Sequence, residues 1–284
     1  MEMALAIATT VIDKKLVVQV QRQRSGPKGH ELWRIIRLLV YAVLKGYFST
    51  RLLVKHLRKR PMVWRRLGFE SRPSRASIDR WKQQYIVELR EIIALLGDEY
   101  LAQVDAHWTI LDSTPMEDYN DPDARWGHTS MGEFKGFKLH MSCDERSVPL
   151  RAEFTTGNYH DCTQATKLLA PTPLVGGDAG YDVQAIKDAA IAQGSKPLFV
   201  HNPRREGKET KRPTPKKLKK VRVKVEQLNS IIKIPVLNRS WILVEGFLQK
   251  ATLAFASVLA TQALALYNLK NYGYPSLRIS EVKI

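Results

Sequence analysis

The chain has 284 residues, with 45 Lys+Arg against 28 Asp+Glu, a formal net charge of +17 and a hydrophobic share of 44%. That apolar share excludes a disordered chain, and the length accommodates one large domain beside a smaller one. Two cysteines, Cys143 and Cys162, make neither a disulfide framework nor a zinc-ligand set and point to a reducing, intracellular compartment, while so basic a shell calls for a polyanionic partner, best met by nucleic acid.

The first stretch, MEMALAIATTVIDKK, is apolar but short, contains Glu2 and lacks a basic leader, so it reads poorly as a signal peptide. Residues 31–96 read as helical. Leu32, Ile35, Ile36, Leu39, Val40 and Val43 recur at the spacing of one helical face, and Gly46 marks the end of that segment. Ser49 or Thr50 opens RLLVKHLRKR, Pro61 opens MVWRRLGF, and a further helix runs from about Ser77 through IDRWKQQYIVELREIIALL. Short helices carrying Arg51, Lys55 and Arg58 suit a helix-turn-helix-like DNA-binding region over residues 1–98, and an ordinary basic helical bundle fits the pattern equally well.

The pattern changes after Gly97. WTILD, FKGFKLHMSCD, VPLRAEFTT, PLVGGD and KPLFV are β-type runs, with helical patterns at 162–170 and 183–193 between the later ones. Early hairpins followed by strand-helix-strand units predict a second domain over 99–284, an α/β mixed sheet flanked by helices. Between Pro203 and Lys224 lies a run with 11 Lys/Arg and two Glu, which reads either as a solvated loop or as a basic arm that clamps nucleic-acid backbone. Ala251 to Leu266 is nearly uncharged; a membrane span takes about 20 apolar residues, and Thr261 and Gln262 interrupt this run, so a buried core helix covering a sheet face is the expectation.

Three acidic residues sit in short, distinctive settings. Alternation in WTILD puts Trp108, Ile110 and Asp112 on one face, with Ser113-Thr114-Pro115 expected to end the strand. Asp178 lies between Gly176-Gly177 and Ala179-Gly180, where small residues let a backbone or a phosphate come close. Glu226 lies four residues after Arg222 and seven before Lys233, offsets that keep all three within roughly 40° of one helical face. Taken singly, Asp112 and Asp178 also read as turn residues and Arg222–Glu226 as a surface ion pair. Together, the three carboxylates are suited to holding two divalent cations for phosphoryl-transfer chemistry.

The chain resembles the DDE-type transposases of bacterial and archaeal insertion sequences, in the group with a Tyr-x2-Arg-x3-Glu-x6-Lys signature. The resemblance runs through ILDST, the G-x3-F-K-G-F-K-L-H run with Gly136 and His140, VPLRAEFTTGNYHD, GGDAGYD, and Arg222, Glu226 and Lys233. One position departs: Lys219 stands where the family has its tyrosine, and a lysine donates to a phosphate as a point charge but cannot stack on a base.

That resemblance implies an RNase H-like catalytic domain with Asp112, Asp178 and Glu226 as catalytic and metal-binding residues. It also implies a site for two Mg2+ ions, with Mn2+ as a substitute. Arg222, Lys233, Lys219, Arg51, Lys55 and Arg58 are then the expected DNA contacts. The implied activity is binding of terminal inverted repeats, followed by cleavage and strand transfer on double-stranded DNA in the cytoplasm, at the nucleoid. A dimer is expected in the DNA complex, and no membrane partner. Lys219 keeps open a second reading, a repurposed DNA-binding protein without catalysis; a nuclease on the same fold is a third.

Overall fold

The structure is a computed structural model that describes residues 3–20, 30–129, 132–203 and 213–278. Among the described residues, seven helices come first: α1 (Met3–Val11), α2 (Lys14–Val18), α3 (Leu32–Leu44), α4 (Thr50–Lys59), α5 (Pro61–Arg66), α6 (Arg75–Gln84) and α7 (Ile86–Leu101). Pro61 opens α5 at its first turn, where the missing N–H is not needed. Gly68, at φ +99°, then lets the chain pass Trp33, whose ring occupies the space a β-carbon would need. The single helix expected from Ser77 to Leu96 is two. It breaks at Tyr85 (φ −110°, ψ 23°), just before β-branched Ile86 and Val87. Helix α1 carried no usable stripe in the sequence, because Ala4 through Ala8 are all buried, and α2 is only five residues long.

Six strands follow: β1 (Trp108–Glu117), β2 (Arg125–Thr129), β3 (Gly132–Cys143), β4 (Pro149–Thr156), β5 (Leu174–Gly177) and β6 (Lys196–Phe199). They form one sheet, ordered β2-β3-β1-β5-β6, with β4 also paired to β3. The β1–β3 and β3–β4 pairs are antiparallel, and β1–β5 and β5–β6 are parallel. The path β4-β3-β1-β5-β6 in those directions is the RNase H-like arrangement. All five expected runs are strands. The short β2 had no signal, since it pairs only with β3 and leaves most of RWGHT exposed or half-exposed.

Helix α8 (Gln184–Ala192) lies where a helical pattern was expected, but 162–170 forms two 3-10 turns, Asp161–Thr163 and Ala165–Leu168. These turns and α8 cover one face of the sheet, where Leu111, Leu168, Val175, Tyr181 and Ile186 form a core. Helix α9 (Lys216–Ile231) packs on β1, β3 and β5. Much of the expected basic loop is therefore helix, since Lys216 to Lys224 belong to α9; residues 204–212 of that loop lie outside the described residues.

The last helix, α10 (Phe247–Tyr272), corrects the expected sheet cover. It is long and apolar enough to cross a membrane, yet 89% of its most apolar window is buried in the protein. It packs on α1, α3 and α6, within the helical unit. Residues Met1–Leu95 and Ile232–Ile284 accordingly form one compact unit and Leu96–Ile231 the other. The C-terminal residues thus group with the N-terminal helices rather than with the sheet, because the amphipathic helices there need a central apolar helix to bury their stripes.

Candidate active site

Strand β1 does not end at Ser113-Thr114-Pro115; it continues to Glu117, paired throughout with β3. What ends near Asp112 is the neighbour on the other side. The last β1–β5 couple is Ile110↔Gly176, and Pro115 falls where β1 has become an edge toward β5, a position that tolerates the missing N–H. Asp112 and Asp178 each stand two residues beyond that couple. Period-two alternation therefore puts them on the same face at adjacent strand ends, the crevice where open α/β sheets bind ligands.

Asp178 caps the turn Ala179–Tyr181, its Oδ1 accepting from Gly180 N at 2.8 Å. The turn reading of this residue is thus realised, and its second carboxylate oxygen takes no part in that cap. The preceding glycines make room for protein and not for phosphate. A β-carbon on Gly176 would stand 2.7 Å from Leu218 Cδ1, and one on Gly177 would stand 2.9 Å from Tyr181 Cδ2. They let α9 and the Tyr181 turn lie close on β5.

Helix α9 buries Leu218, Val225, Leu228 and Asn229 against the sheet. Asn229 interrupts this otherwise apolar stripe, and its Nδ2 donates to Asp112 Oδ2 at 2.8 Å. Glu226, one turn earlier, has a side chain 60% exposed, with Arg222 Nη2 4.0 Å from its Oε1. The Arg222 charge also reaches Asp112. Lys219 is exposed on the preceding turn. Lys233 lies past the end of α9, in the π-helical turn Ile232–Val236, where Pro235 lacks the N–H an α-helix requires. The regular helical face expected for Arg222, Glu226 and Lys233 therefore stops short of Lys233.

On the opposite face of β3, Lys138 and His140 alternate in phase. The buried Lys138 ammonium pairs with Asp161 Oδ1 at 2.9 Å and donates to Tyr159 O at 3.1 Å. Asp161 thus serves as the counterion of Lys138. His140 is fully buried, with Nε2 2.8 Å from Thr155 Oγ1. Burial lowers its pKa to about 4, with opposing contributions from Asp161 and from Lys138 and Lys167. Residue-level reasoning missed Asn229, whose one signal was a polar residue on a buried stripe, and the Lys138–Asp161 pair, signalled only by the His160-Asp161 dipeptide.

The family profile described as "Transposase DDE domain" matches residues 107–263, from the residue before β1 through all six strands, α9 and into α10. The chain belongs to the DDE-type insertion-sequence transposases. It is 22% identical over 191 residues, 62% of its length, to a "Probable transposase for insertion sequence element ISH11", found in two strains of Halobacterium salinarum. The matched region is 56% of that relative, so the chain spans about half the length of the curated relatives it matches. Among solved structures, a cryo-EM "piggyBac transposase synaptic complex with hairpin DNA" aligns with 99% of this chain and 77% of its own, at TM-score 0.43 and 9% identity.

The DDE family implies a divalent metal. Among the described residues, no three His, Cys, Asp or Glu side chains converge closely enough to cage one; Asp112 and Asp178 are near each other, and Glu226 points outward. Three features of the transposase domain nevertheless fit a hard cation. Asp112 retains some accessible surface but is walled by protein, and its pKa is raised to about 7, chiefly by burial and further by the Asp178 charge. The Asn229 amide turns its NH2 to Asp112 Oδ2, the orientation that an ionised carboxylate, which only accepts, requires. That leaves Asn229 Oδ1 buried with no hydrogen-bond partner among the described residues, at a cost of roughly 1–3 kcal/mol. A cation among these oxygens would offset both penalties, and all-oxygen donors suit Mg2+.

The helical unit of the transposase presents Arg51, Lys55 and Arg58 on one exposed face of α4, while Leu53 and Leu57 of the same helix are buried.

Proposed function

We propose that this transposase binds the terminal inverted repeats of its own element, cleaves the DNA there and transfers the freed strand ends to a target. The observation that carries this reading is Asp112 beside Asp178 at adjacent parallel strand ends, with α9 fastened over them through Asn229. Asp112, Asp178 and Glu226 would hold the metals, Glu226 rotating inward from its exposed position. When bound, two divalent cations supply Lewis-acid stabilisation of the attacking and leaving oxygens of an in-line displacement.

Arg222 and Lys219 flank this centre on α9 and orient backbone phosphates, contacts that position a duplex without reading its sequence. Lys233 adds a further phosphate contact from the turn beyond α9. Arg51, Lys55 and Arg58 on the exposed face of α4 carry the interaction with the repeats. Joining two element ends requires two active centres, so the working complex contains two copies of the chain.

The direct test incubates purified protein with labelled DNA carrying the element ends, with Mg2+ or Mn2+. The expected result is nicked ends and joined products. Shifted but uncut DNA in both metals would establish a DNA-binding protein without catalysis, and released ends that never join would establish a nuclease.

A further inference from the structure

We infer that Asn229 is a fourth oxygen donor to the cation site, aimed there by its bond to Asp112; this rests on the metal-dependent reading above. The position is only 9% exposed and belongs to the stripe formed by Leu218, Val225 and Leu228, where packing alone favours a leucine. What the amide does there is specific. Its NH2 meets Asp112 Oδ2 at 2.8 Å, and its carbonyl oxygen, buried beside that carboxylate, receives no donor among the described residues.

The amide brings more than the donor that orients Asp112: its carbonyl oxygen is a second polar atom, buried with no donor among the described residues. Here the negative end of the amide dipole is sealed next to a carboxylate at the strand ends, an arrangement that is unfavourable until a positive charge enters. Glu226, three residues earlier on α9, is the helical neighbour of Asn229. A cation that draws in Glu226 from that turn therefore arrives at the face where Asn229 Oδ1 is already in place. Asn229 and Asp112 then form the preset half of the site, and Glu226 closes it.

The test measures Mn2+ binding to the full chain without DNA, by calorimetry and by the loss of the free-ion paramagnetic resonance signal, together with melting in EDTA. Asn229→Leu keeps the branching at Cγ and removes both polar atoms; it is expected to weaken Mn2+ binding about tenfold or more without lowering the melting temperature in EDTA. Asn229→Asp keeps an oxygen but loses the donor. It is expected to bind Mn2+ close to wild type, to melt lower in EDTA from the added like charge, and to recover with Mn2+. Wild-type affinity in Asn229→Leu, alongside lost binding in Asp112→Ala, overturns the inference and leaves the proposed function standing. If Asn229→Leu fails to fold, Asn229→Asp decides, since lost Mn2+ affinity in that variant overturns the oxygen role. A wild-type chain that binds no Mn2+ overturns the metal-dependent reading itself, and this inference with it.

Discussion

Leu218 of α9 lies directly over Gly176 of β5, so close that a β-carbon on the glycine would stand 2.7 Å from Leu218 Cδ1, with Trp108 Cζ3 at 3.1 Å and Leu198 O at 3.2 Å. Leu218 is fully buried in the packed stripe of α9, so its methyl clears the new β-carbon by shifting that helix, and the Leu198 carbonyl is backbone with little room to give. Gly176→Ala is therefore expected to cost roughly 1–3 kcal/mol in urea unfolding. Because it lifts the helix that carries Glu226 and Asn229, cleavage should fall by more than the stability loss explains. Unchanged cleavage in a folded variant would show that α9 need not lie this close.

Replacing Asp112, Asp178 or Glu226 singly with alanine is expected to abolish strand cleavage while leaving the band shift on element ends in EDTA. Wild-type-like cleavage by any of the three removes that residue from the catalytic set.

The ion pair between Lys138 and Asp161 is buried on the lysine side and one-third exposed on the aspartate side. Asp161→Asn leaves the buried ammonium without its counterion and is expected to cost about 2 kcal/mol, below the range for fully buried pairs. Lys138→Met removes the charge that needed burying and should cost less, since Asp161 can turn to water. Equal losses from the two variants, measured by urea unfolding, would contradict this asymmetry.

His140 is held neutral by burial, its pKa lowered to about 4 in the folded chain, against about 6.5 when unfolded. Between those values the unfolded state binds a proton that the native state refuses, so stability falls as pH drops from 6.5 toward 4, by up to roughly 3 kcal/mol. Asp161, Lys138 and Lys167 face the ring and set the lower limit of that window. Unfolding curves at pH 7 and pH 4.5 should show a smaller acid loss in His140→Gln than in wild type. Parallel losses would remove His140 as the cause.

Arg51, Lys55 and Arg58 form an exposed basic face on α4. Replacing all three with alanine should weaken binding to element ends and flatten the dependence of log affinity on log salt by about 0.9 for each phosphate no longer neutralised. An unchanged slope would place the DNA elsewhere.

Much of the sheet was legible because strands signal themselves locally. WTILD, FKGFKLHMSCD, VPLRAEFTT, PLVGGD and KPLFV each carry the β-type pattern of buried or half-buried strands, and all five are strands. The elements that went unread depend on partners far away in sequence. The short β2 is a strand only because β3 lies beside it, and α1 is buried all round and so shows no stripe. Where a helix was expected over 162–170 the chain forms two 3-10 turns, the first opening at Asp161, whose partner Lys138 lies on β3.

The sequence by itself determined the chemistry available to this protein: three carboxylates in distinctive settings, a net charge of +17, and a helix with Arg222 and Glu226 on one face. Those are properties of residue type and short spacing, which need no fold to be read. Only the tertiary structure decided which groups meet. The parallel register Ile110↔Gly176 sets Asp112 level with Asp178 across a long stretch of chain. The packing of α9 on the sheet, not any local pattern, brings Asn229 to Asp112 while leaving Glu226 outward. Register and helix placement are fixed by burial of apolar faces against distant elements, and no window of adjacent residues contains that information.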